Sequence, residues 1–179
     1  MSLVLDIDDI PEDEALSLDL TEKPDHFKVD PEEGVLTQGV HVLGTLSKTG
    51  LEIFFNGNIS TEIKLICSRC LEPLEYRVQA KVSACYLPAQ DAGEPGSDME
   101  LHGSDFEVEY YSGHRLDLTQ AVYDQMMLSL PIVRLCREDC RGICSQCGVN
   151  RNQDDCKCSD RESIDPRLAV LKKLKDKIK

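Results

Sequence analysis

The sequence predicts an α+β fold: an antiparallel sheet that could be barrel-like, one or two packed helices, and a C-terminal cysteine-rich, zinc-knuckle-like module that ends in a helix. Three observations support this class. Apolar residues recur with a period of two between residues 35 and 87, as in half-buried strands. Apolar residues then recur at every fourth position from Leu118, as on one face of a helix. Finally, six of the nine cysteines lie between Cys136 and Cys158.

The first segment, residues 1–34, is expected to be an acidic, extended lead-in. It carries 12 acidic and 2 basic residues, and prolines at positions 11, 24 and 31 oppose a continuous helix. A short strand is predicted at residues 3–7. The N-terminus has neither the basic nor the apolar region of a signal peptide. No run approaches the roughly 18 apolar residues of a membrane helix, so we expect a cytoplasmic protein.

The second segment, residues 35–133, is predicted to form the antiparallel sheet and a helix. Its helix should begin at an Asp117 cap and run to Leu130, before Pro131 ends it. Residues 88–105 have the composition of an acidic loop. In the clearest strand, Cys85 belongs to the outward face, and the inward face consists of Leu74, Tyr76, Val78, Ala80, Val82 and Ala84.

The third segment, residues 134–179, is predicted to be a cysteine-rich module followed by a basic amphipathic helix. Cys144-x-x-Cys147-Gly148 is followed, after eight intervening residues, by Cys156-x-Cys158. Thiolates at this spacing can converge on one tetrahedral Zn²⁺. A disulfide framework would need an oxidising compartment, which nothing indicates, and a redox dithiol is normally a single Cys-x-x-Cys at the start of a helix. We therefore favour structural zinc, with free thiols as the next alternative.

The set of ligands stays open at the level of sequence. The most economical tetrahedral site is Cys144, Cys147, Cys156 and Cys158. Cys136 and Cys140 could replace one of these pairs, or they could join Cys67 and Cys70 in a second site. Cys67-x-x-Cys70 is predicted at a hairpin tip and resembles half a zinc knuckle, although two reduced thiols in a turn are an equal alternative. With two sites, Cys85 would be left alone.

The tail beyond Cys158 is predicted to be a helix that begins at Asp165-Pro166. Leu168, Leu171, Leu174 and Ile178 would form its apolar stripe, and lysines cover the other faces. Such a helix can dock on its own domain, on a partner protein or beside RNA phosphates. Residues 134–179 carry 12 basic and 8 acidic residues, whereas the whole chain has a net charge of −13, which argues against a simple nucleic-acid coat.

Several stretches together resemble the YceD-like family of bacterial and plastid proteins. They are Cys67-Ser-Arg-Cys70-Leu-Glu-Pro-Leu-Glu on a strand pair, the acidic loop, the helix opening at Leu116-Asp-Leu118, the Cys136–Cys158 stretch, Asp165-Pro-Arg-Leu-Ala-Val-Leu171 and the acidic Asp-Ile-Pro-Glu opening. The resemblance covers most of the chain. It implies a role in the accumulation of large-subunit ribosomal RNA. Because some family members lack the C-terminal cysteines, a metal site there would be an elaboration.

The resemblance predicts a non-catalytic factor in large ribosomal subunit biogenesis that supports accumulation or processing of 23S rRNA. Its partner would be precursor rRNA or a basic ribosomal protein, and neither a membrane nor a small-molecule substrate is expected. An adaptor without RNA contact is the alternative. A zinc-dependent hydrolase or thiol oxidoreductase is disfavoured, because an all-thiolate site is usually closed and His26, His41, His102 and His114 are scattered. The predicted partner-binding residues are Arg134, Arg137, Arg141, Arg151, Lys172, Lys173 and Lys175.

Overall fold

The computed structural model describes residues 3–12, 14–89 and 107–158. Its main body is a sheet of six strands, which are β2 (Leu16–Glu22), β3 (Val35–Leu36), β4 (Val40–Thr49), β5 (Glu52–Ile66), β6 (Pro73–Pro88) and β7 (Glu107–Tyr111). A separate two-stranded ribbon pairs β1 (Val4–Asp6) with β8 (Arg115–Asp117). One α-helix, α1 (Thr119–Leu128), lies within the described residues, together with short 3₁₀ helices at Ile7–Asp9 and Pro24–His26.

The hairpin of β5 and β6 is the longest feature of the sheet, with residues 53–66 paired to residues 73–86. The predicted alternation is confirmed here, since Val78, Val82 and Ala84 on β6 are buried while Gln79, Lys81 and Ser83 are exposed. Cys85 is an exception, because it is buried although the alternation places it on the outward face. Phe54 on β5 and Val108 on β7 are its register partners, and they stand on either side of it.

The sheet accommodates the ring of Phe55 by pairing two glycines beside it. Gly44 and Gly57 are direct register partners on β4 and β5. A Cβ atom at Gly44 would lie 2.5 Å from the Asn56 carbonyl oxygen and 3.0 Å from the Phe55 ring. A side chain at either glycine would therefore force the ring or the backbone to shift, and Phe55 is fully buried in the core.

The barrel-like form predicted from the sequence is wrong. The strands follow the order β2-β4-β5-β6-β7, with β3 beside β5, so β2 and β7 are separate edges and the sheet stays open. The sheet is also mixed, because β7 pairs parallel to β6. A parallel partner requires a long connection, and residues 89–106 supply its length. The predicted loop beyond residue 89 and the predicted helix from Asp165 lie outside the described residues.

The predicted helix is confirmed, although it is shorter than expected. The Asp117 carboxylate accepts a hydrogen bond from the Thr119 backbone N–H (2.9 Å), and the helix ends at Leu128 rather than Leu130. Leu118, Val122 and Met126 are fully buried, and α1 packs against β6. The residues that follow the helix are thereby directed toward the tip of the β5–β6 hairpin.

The acidic N-terminal residues are built into this body. β2 pairs with β4 over residues 16–22, and its last residue, Glu22, is only 4% exposed. The Glu22 carboxylate accepts hydrogen bonds from the backbone N–H groups of Leu3 (3.1 Å) and Lys23 (3.0 Å). The bond from Leu3 joins the start of β1 to the end of β2. The proposed division of the chain into three segments stays a prediction.

Within the described part of the chain, no helix combines the length and apolar character that crossing a membrane requires.

Candidate metal centre

The tip of the β5–β6 hairpin is a tight turn that brings Cys67 and Cys70 together. The Leu71 N–H donates to the Cys67 carbonyl (3.0 Å), and the Cys67 N–H donates to the Glu72 carbonyl (2.9 Å). Leu71 has a φ of 61°, in the left-handed region that only glycine adopts without strain. We call this turn the hairpin knuckle.

A second turn repeats the same hydrogen bonds at Cys144 and Cys147. The Gly148 N–H donates to the Cys144 carbonyl (2.9 Å), and the Cys144 N–H donates to the Val149 carbonyl (2.8 Å). Gly148 has a φ of 73°. The chain therefore builds one turn twice, and only the second copy carries the glycine that its backbone favours.

The first group of thiols, which we call the hairpin cluster, consists of Cys67, Cys70, Cys136 and Cys140. The four sulfurs lie within 4.8 Å of one another, with 3.9 Å between those of Cys67 and Cys140 and 3.6 Å between those of Cys70 and Cys136. The segment after α1 is fixed to the knuckle, because the Ser68 N–H donates to the Arg134 carbonyl (2.7 Å).

The second group, the C-terminal cluster, consists of Cys144, Cys147, Cys156 and Cys158, whose sulfurs also lie within 4.8 Å of one another. The Cys156 sulfur is 3.3 Å from that of Cys144 and 3.5 Å from that of Cys147. Only Cys144 is buried here. This cluster therefore lies nearer the surface than the hairpin cluster, in which three of the four thiols are buried.

The sulfur distances fit metal coordination rather than disulfides. A tetrahedral ion with Zn–S bonds of about 2.3 Å requires sulfurs about 3.8 Å apart, close to the 3.3–3.9 Å found between neighbouring thiols. A disulfide would bring two sulfurs to about 2.05 Å, and all nine cysteines are free. Each cluster can thus hold one metal ion.

The pKa values of the thiols show why each cluster favours a cation. Burial opposes ionisation of Cys67, but the backbone N–H groups of Cys70, Arg69 and Cys136 lower its pKa to about 6. The N–H groups of Cys147 and Gln146 lower the pKa of Cys144 to about 6. Burial and the neighbouring thiols raise the pKa of Cys136 to about 12. Each cluster thus combines thiols whose pKa is lowered with thiols whose pKa is raised by burial and by their neighbours, and a divalent cation relieves that repulsion.

The structure brings all eight predicted ligand cysteines into two groups of four and leaves Cys85 apart. This grouping matches the two-site alternative, in which Cys136 and Cys140 join Cys67 and Cys70. That Zn²⁺ occupies either group stays a prediction.

The predicted partner-binding arginines have different environments. The Arg134 guanidinium donates to the Glu33 carbonyl (2.7 Å). Arg137 donates to Asn152 (2.9 Å) and lies 3.4 Å from Asp139. Arg141 is exposed, and Arg151 is half-buried beside it along a shallow pocket. Lys172, Lys173 and Lys175 lie outside the described residues.

Two features of this region were not predicted. The first is Asn152, which donates from its side-chain nitrogen to the Cys140 sulfur (3.3 Å). The second is a groove of about 580 Å³ beside the hairpin knuckle, lined by Ile66, Leu71, Met127, Leu128, Leu130 and Ile132, with the charged residues Glu32, Glu33 and Arg134. Ile132 is fully exposed and Leu128 is 74% exposed. The apolar pair Ile132-Val133, directly after Pro131, was the sequence signal that could have indicated the groove.

A third polar group lies far from both clusters in sequence. Asp6, Asp8 and His114 gather at the β1–β8 ribbon, where all three are exposed. The Asp8 carboxylate lies 3.1 Å from His114 Nδ1. Carboxyl and imidazole groups as exposed as these are common on protein surfaces. Among the described histidines, His26 and His41 lie beside Glu22 and Asp19, away from the thiols.

An open sheet that carries paired cysteine knuckles at the tip of its longest hairpin defines a small β-sheet protein with two clusters of four cysteines. The family model described as large ribosomal RNA subunit accumulation protein YceD matches residues 55–175, which include both knuckles. The chain belongs to this family, and the resemblance predicted from the sequence is confirmed.

The individual relatives share 30% or less of their aligned residues with this chain. An uncharacterized protein of Mycobacterium tuberculosis is 30% identical over 119 residues, which are 66% of this chain and 54% of that protein. The chloroplastic large ribosomal RNA subunit accumulation protein YCED homolog 1 of Zea mays is 23% identical over 141 residues, which are 65% of this chain and 48% of that protein. The chain spans about half the length of the curated relatives it matches. No solved structure matches the chain.

Proposed function

We propose that this chain is a non-catalytic cytoplasmic factor in large ribosomal subunit biogenesis, which supports accumulation or processing of 23S rRNA. Membership of the YceD family supports the process. The two all-thiolate clusters support the absence of catalysis, because four thiolates complete a tetrahedral site and leave no position for a substrate or an activated water. The clusters would hold the surrounding residues in place, and the partner would bind to the surface that those residues form.

Each cluster is proposed to hold one structural Zn²⁺, which would cross-link the segment that carries it. The observation behind this proposal is how little of residues 136–158 is buried. Only Cys140, Gly142 and Cys144 are buried in this segment. Ordering a residue's backbone costs about 1–2 kcal/mol, and burying an aliphatic side chain returns about 1.5–3 kcal/mol. A segment without a buried aliphatic side chain needs another source of stability, and thiolate–metal bonds supply it.

A basic ribosomal protein is the partner that the groove supports. Its exposed Leu71, Leu128 and Ile132 would be covered by apolar side chains of a partner, and Glu32 and Glu33 would face the partner's basic residues. Direct contact with rRNA phosphates is the other mode, and it would fall to Arg141, Arg151 and the lysines near the C-terminus. Arg134 and Arg137 already hold hydrogen bonds within the protein, which a phosphate contact would have to share or replace.

The process is tested by depleting the protein in cells and following 23S rRNA and its precursors. We expect depletion to lower mature 23S rRNA, and re-expression of the wild-type chain to restore it. A chain with Cys67→Ser and Cys144→Ser should fail to restore it. Unchanged 23S rRNA after depletion would contradict the proposed function.

The two partner modes are separated by crosslinking in cells. Ile132→Glu places a charge in the groove, and Leu51→Glu is a matched control, because Leu51 is 64% exposed at the opposite end of β5. If the groove binds a ribosomal protein, Ile132→Glu should abolish the protein crosslink while Leu51→Glu leaves it unchanged. Enrichment of bound 23S rRNA that survives Ile132→Glu would favour the phosphate-contact mode instead. If rRNA is not enriched with any variant, contact with a protein is the only one of the two modes that remains.

A further inference from the structure

We infer that the two clusters bind metal as one coupled unit and that Asn152 is the positioning residue that couples them. This inference rests on the proposed zinc sites. Asn152 belongs to the loop between Cys147 and Cys156, which the C-terminal cluster holds at both ends. Its side-chain nitrogen nevertheless donates to the sulfur of Cys140, a member of the hairpin cluster, at 3.3 Å. One cluster therefore supplies a hydrogen bond to a ligand of the other.

The side chain of Asn152 is held in one orientation. Its Oδ1 accepts from the Arg141 backbone N–H (2.8 Å) and from the Arg137 guanidinium (2.9 Å). Two donors on one side of the amide identify that atom as the oxygen, so the nitrogen must face the sulfur. Arg137 and Arg141 flank Cys140 in sequence. The segment that carries the thiol thus also fixes the group that donates to it.

Further hydrogen bonds fasten the same loop to the hairpin knuckle. Asn150 and Gln153 donate to the Glu72 carboxylate at 3.3 and 3.1 Å, and Glu72 closes the knuckle through its carbonyl. The Ile143 N–H donates to the Arg69 carbonyl (2.9 Å), and the Arg69 guanidinium donates to the Cys140 carbonyl (3.0 Å). The loop therefore reaches the knuckle as well as the Cys140 thiol.

Only three residues, at positions 141–143, separate Cys140 from Cys144. Gly142 in this linker has a φ of 72°, and a Cβ atom there would lie 2.9 Å from the Arg69 carbonyl oxygen. The linker is therefore packed directly on the hairpin knuckle. A change in the order of the C-terminal cluster cannot be absorbed in such a connection and must reach Cys140.

Two consequences follow for metal affinity. A hydrogen bond to a ligating group holds that ligand and disperses its negative charge, and its loss typically costs 10–100-fold in metal affinity. Asn152→Ala should therefore weaken the hairpin cluster about tenfold, and the dependence of the C-terminal cluster on hairpin-cluster metal should disappear with it. Conversely, emptying the C-terminal cluster releases the loop and should weaken the hairpin cluster by a similar factor. Because coupling is reciprocal, emptying the hairpin cluster should also weaken the C-terminal one.

The experiment loads the full-length protein with ¹¹³Cd²⁺ and follows its two cadmium resonances by NMR during competition with a chelator. The resonances are assigned with Cys67→Ser and Cys144→Ser. We expect Asn152→Ala to lose the hairpin-cluster resonance at about tenfold lower chelator concentration than the wild type. Asp154→Ala is the matched control, since it shortens an exposed side chain of the same loop. Its hairpin-cluster resonance should persist to within about threefold of the wild-type chelator concentration.

Four results would overturn the inference. If Asn152→Ala and the wild type release hairpin-cluster metal at the same chelator concentration, Asn152 does not couple the sites. If Asn152→Ala weakens both clusters equally with loss of far-UV circular dichroism, the residue has a general folding role. If the wild-type protein shows neither resonance, the zinc proposal fails, and the coupling fails with it. Two resonances that respond independently would remove the coupling and leave the zinc proposal intact.

Discussion

Leu71 and Gly148 occupy equivalent positions in the two knuckles, and both have left-handed backbone conformations, with φ of 61° and 73°. A non-glycine residue in this region costs about 1–2 kcal/mol. Leu71 bears that cost although its side chain is 60% exposed and lines the groove beside the knuckle. A strained apolar residue at a surface is more consistent with partner contact than with stability.

The substitution Leu71→Gly should stabilise the protein by about 0.5–1 kcal/mol, because relief of strain exceeds the added entropy of the unfolded chain. The control is the reverse substitution at the equivalent position of the second turn. Gly148→Leu should destabilise the C-terminal cluster by about 1–2 kcal/mol. Urea unfolding of the metal-loaded proteins measures both changes. If the Leu71 side chain meets a partner, Leu71→Gly should also fail to restore 23S rRNA in depleted cells. A destabilised Leu71→Gly protein would contradict the assignment of strain.

Glu22 should make stability depend on pH. Burial alone would raise the pKa of its carboxyl group, but the backbone N–H groups of Lys23 and Leu3 and the nearby His26 lower it below the ordinary value of 4.5. A group whose pKa is lower in the folded state stabilises the fold above its ordinary pKa. That contribution should disappear as the pH falls from about 4.5 through the lower folded value.

The substitution Glu22→Gln should therefore cost about 1–3 kcal/mol at pH 7, because two backbone donors lose a charged acceptor. The difference in unfolding free energy between wild type and variant should shrink as the pH falls below about 4.5. Both proteins carry the same clusters, so metal release at low pH cancels in this difference. A difference that stays constant from pH 7 to pH 3.5 would show that Glu22 is not responsible.

Among the secondary-structure elements, the sequence predicted the position of single strands better than it predicted which strands pair and in which direction. The alternation from Leu74 to Ala84 was sufficient to place β6, and Cys67 and Cys70 lie between β5 and β6 as expected. The direction of β7 was not predictable, because the pattern of a short strand is the same for parallel and antiparallel pairing. Closure of the sheet was also not predictable from the hydrophobic pattern, because it depends on whether the edge strands β2 and β7 meet.

The pairing of the cysteines was open for a similar reason. Spacing along the chain identified two Cys-x-x-Cys turns, but Cys67 and Cys140 are separated by 73 residues. Their contact depends on α1 packing against β6 and directing the following segment to the hairpin tip. The role of Asn152 was hidden for the same reason, because an asparagine in a loop is common and only the fold shows which sulfur it faces.

The two clusters should differ in what their loss unfolds. Cys144→Ser or Cys147→Ser should unfold the C-terminal cluster and leave the sheet largely intact, because this cluster contacts the body mainly through the hairpin knuckle. Far-UV circular dichroism and amide hydrogen exchange measure the two parts separately. Cys85→Ala is the control, since Cys85 belongs to neither cluster, and it should retain full metal content. Loss of the entire far-UV signal in Cys144→Ser would show that the cluster is integral to the fold.

For the whole molecule, stability has two sources in different places. The sheet and α1 enclose an apolar core that includes Phe55, Ile63 and Met126, whereas residues 136–158 bury no aliphatic side chain. Removal of metal with a chelator should therefore raise hydrogen exchange at both knuckles and in the segment after α1, and leave protection in β4 and β5 unchanged. Uniform loss of protection across the sheet would contradict this division.

The eight clustered thiols are proposed to hold two structural zinc ions. Metal analysis of the full-length protein, purified without chelator, tests this proposal when combined with titration of reactive thiols. We predict two zinc ions per chain, with the eight clustered thiols unreactive in the native protein until a chelator is added. A metal content well below one ion per chain, with the thiols freely reactive, would contradict the claim. A content of one ion would contradict the two-site arrangement.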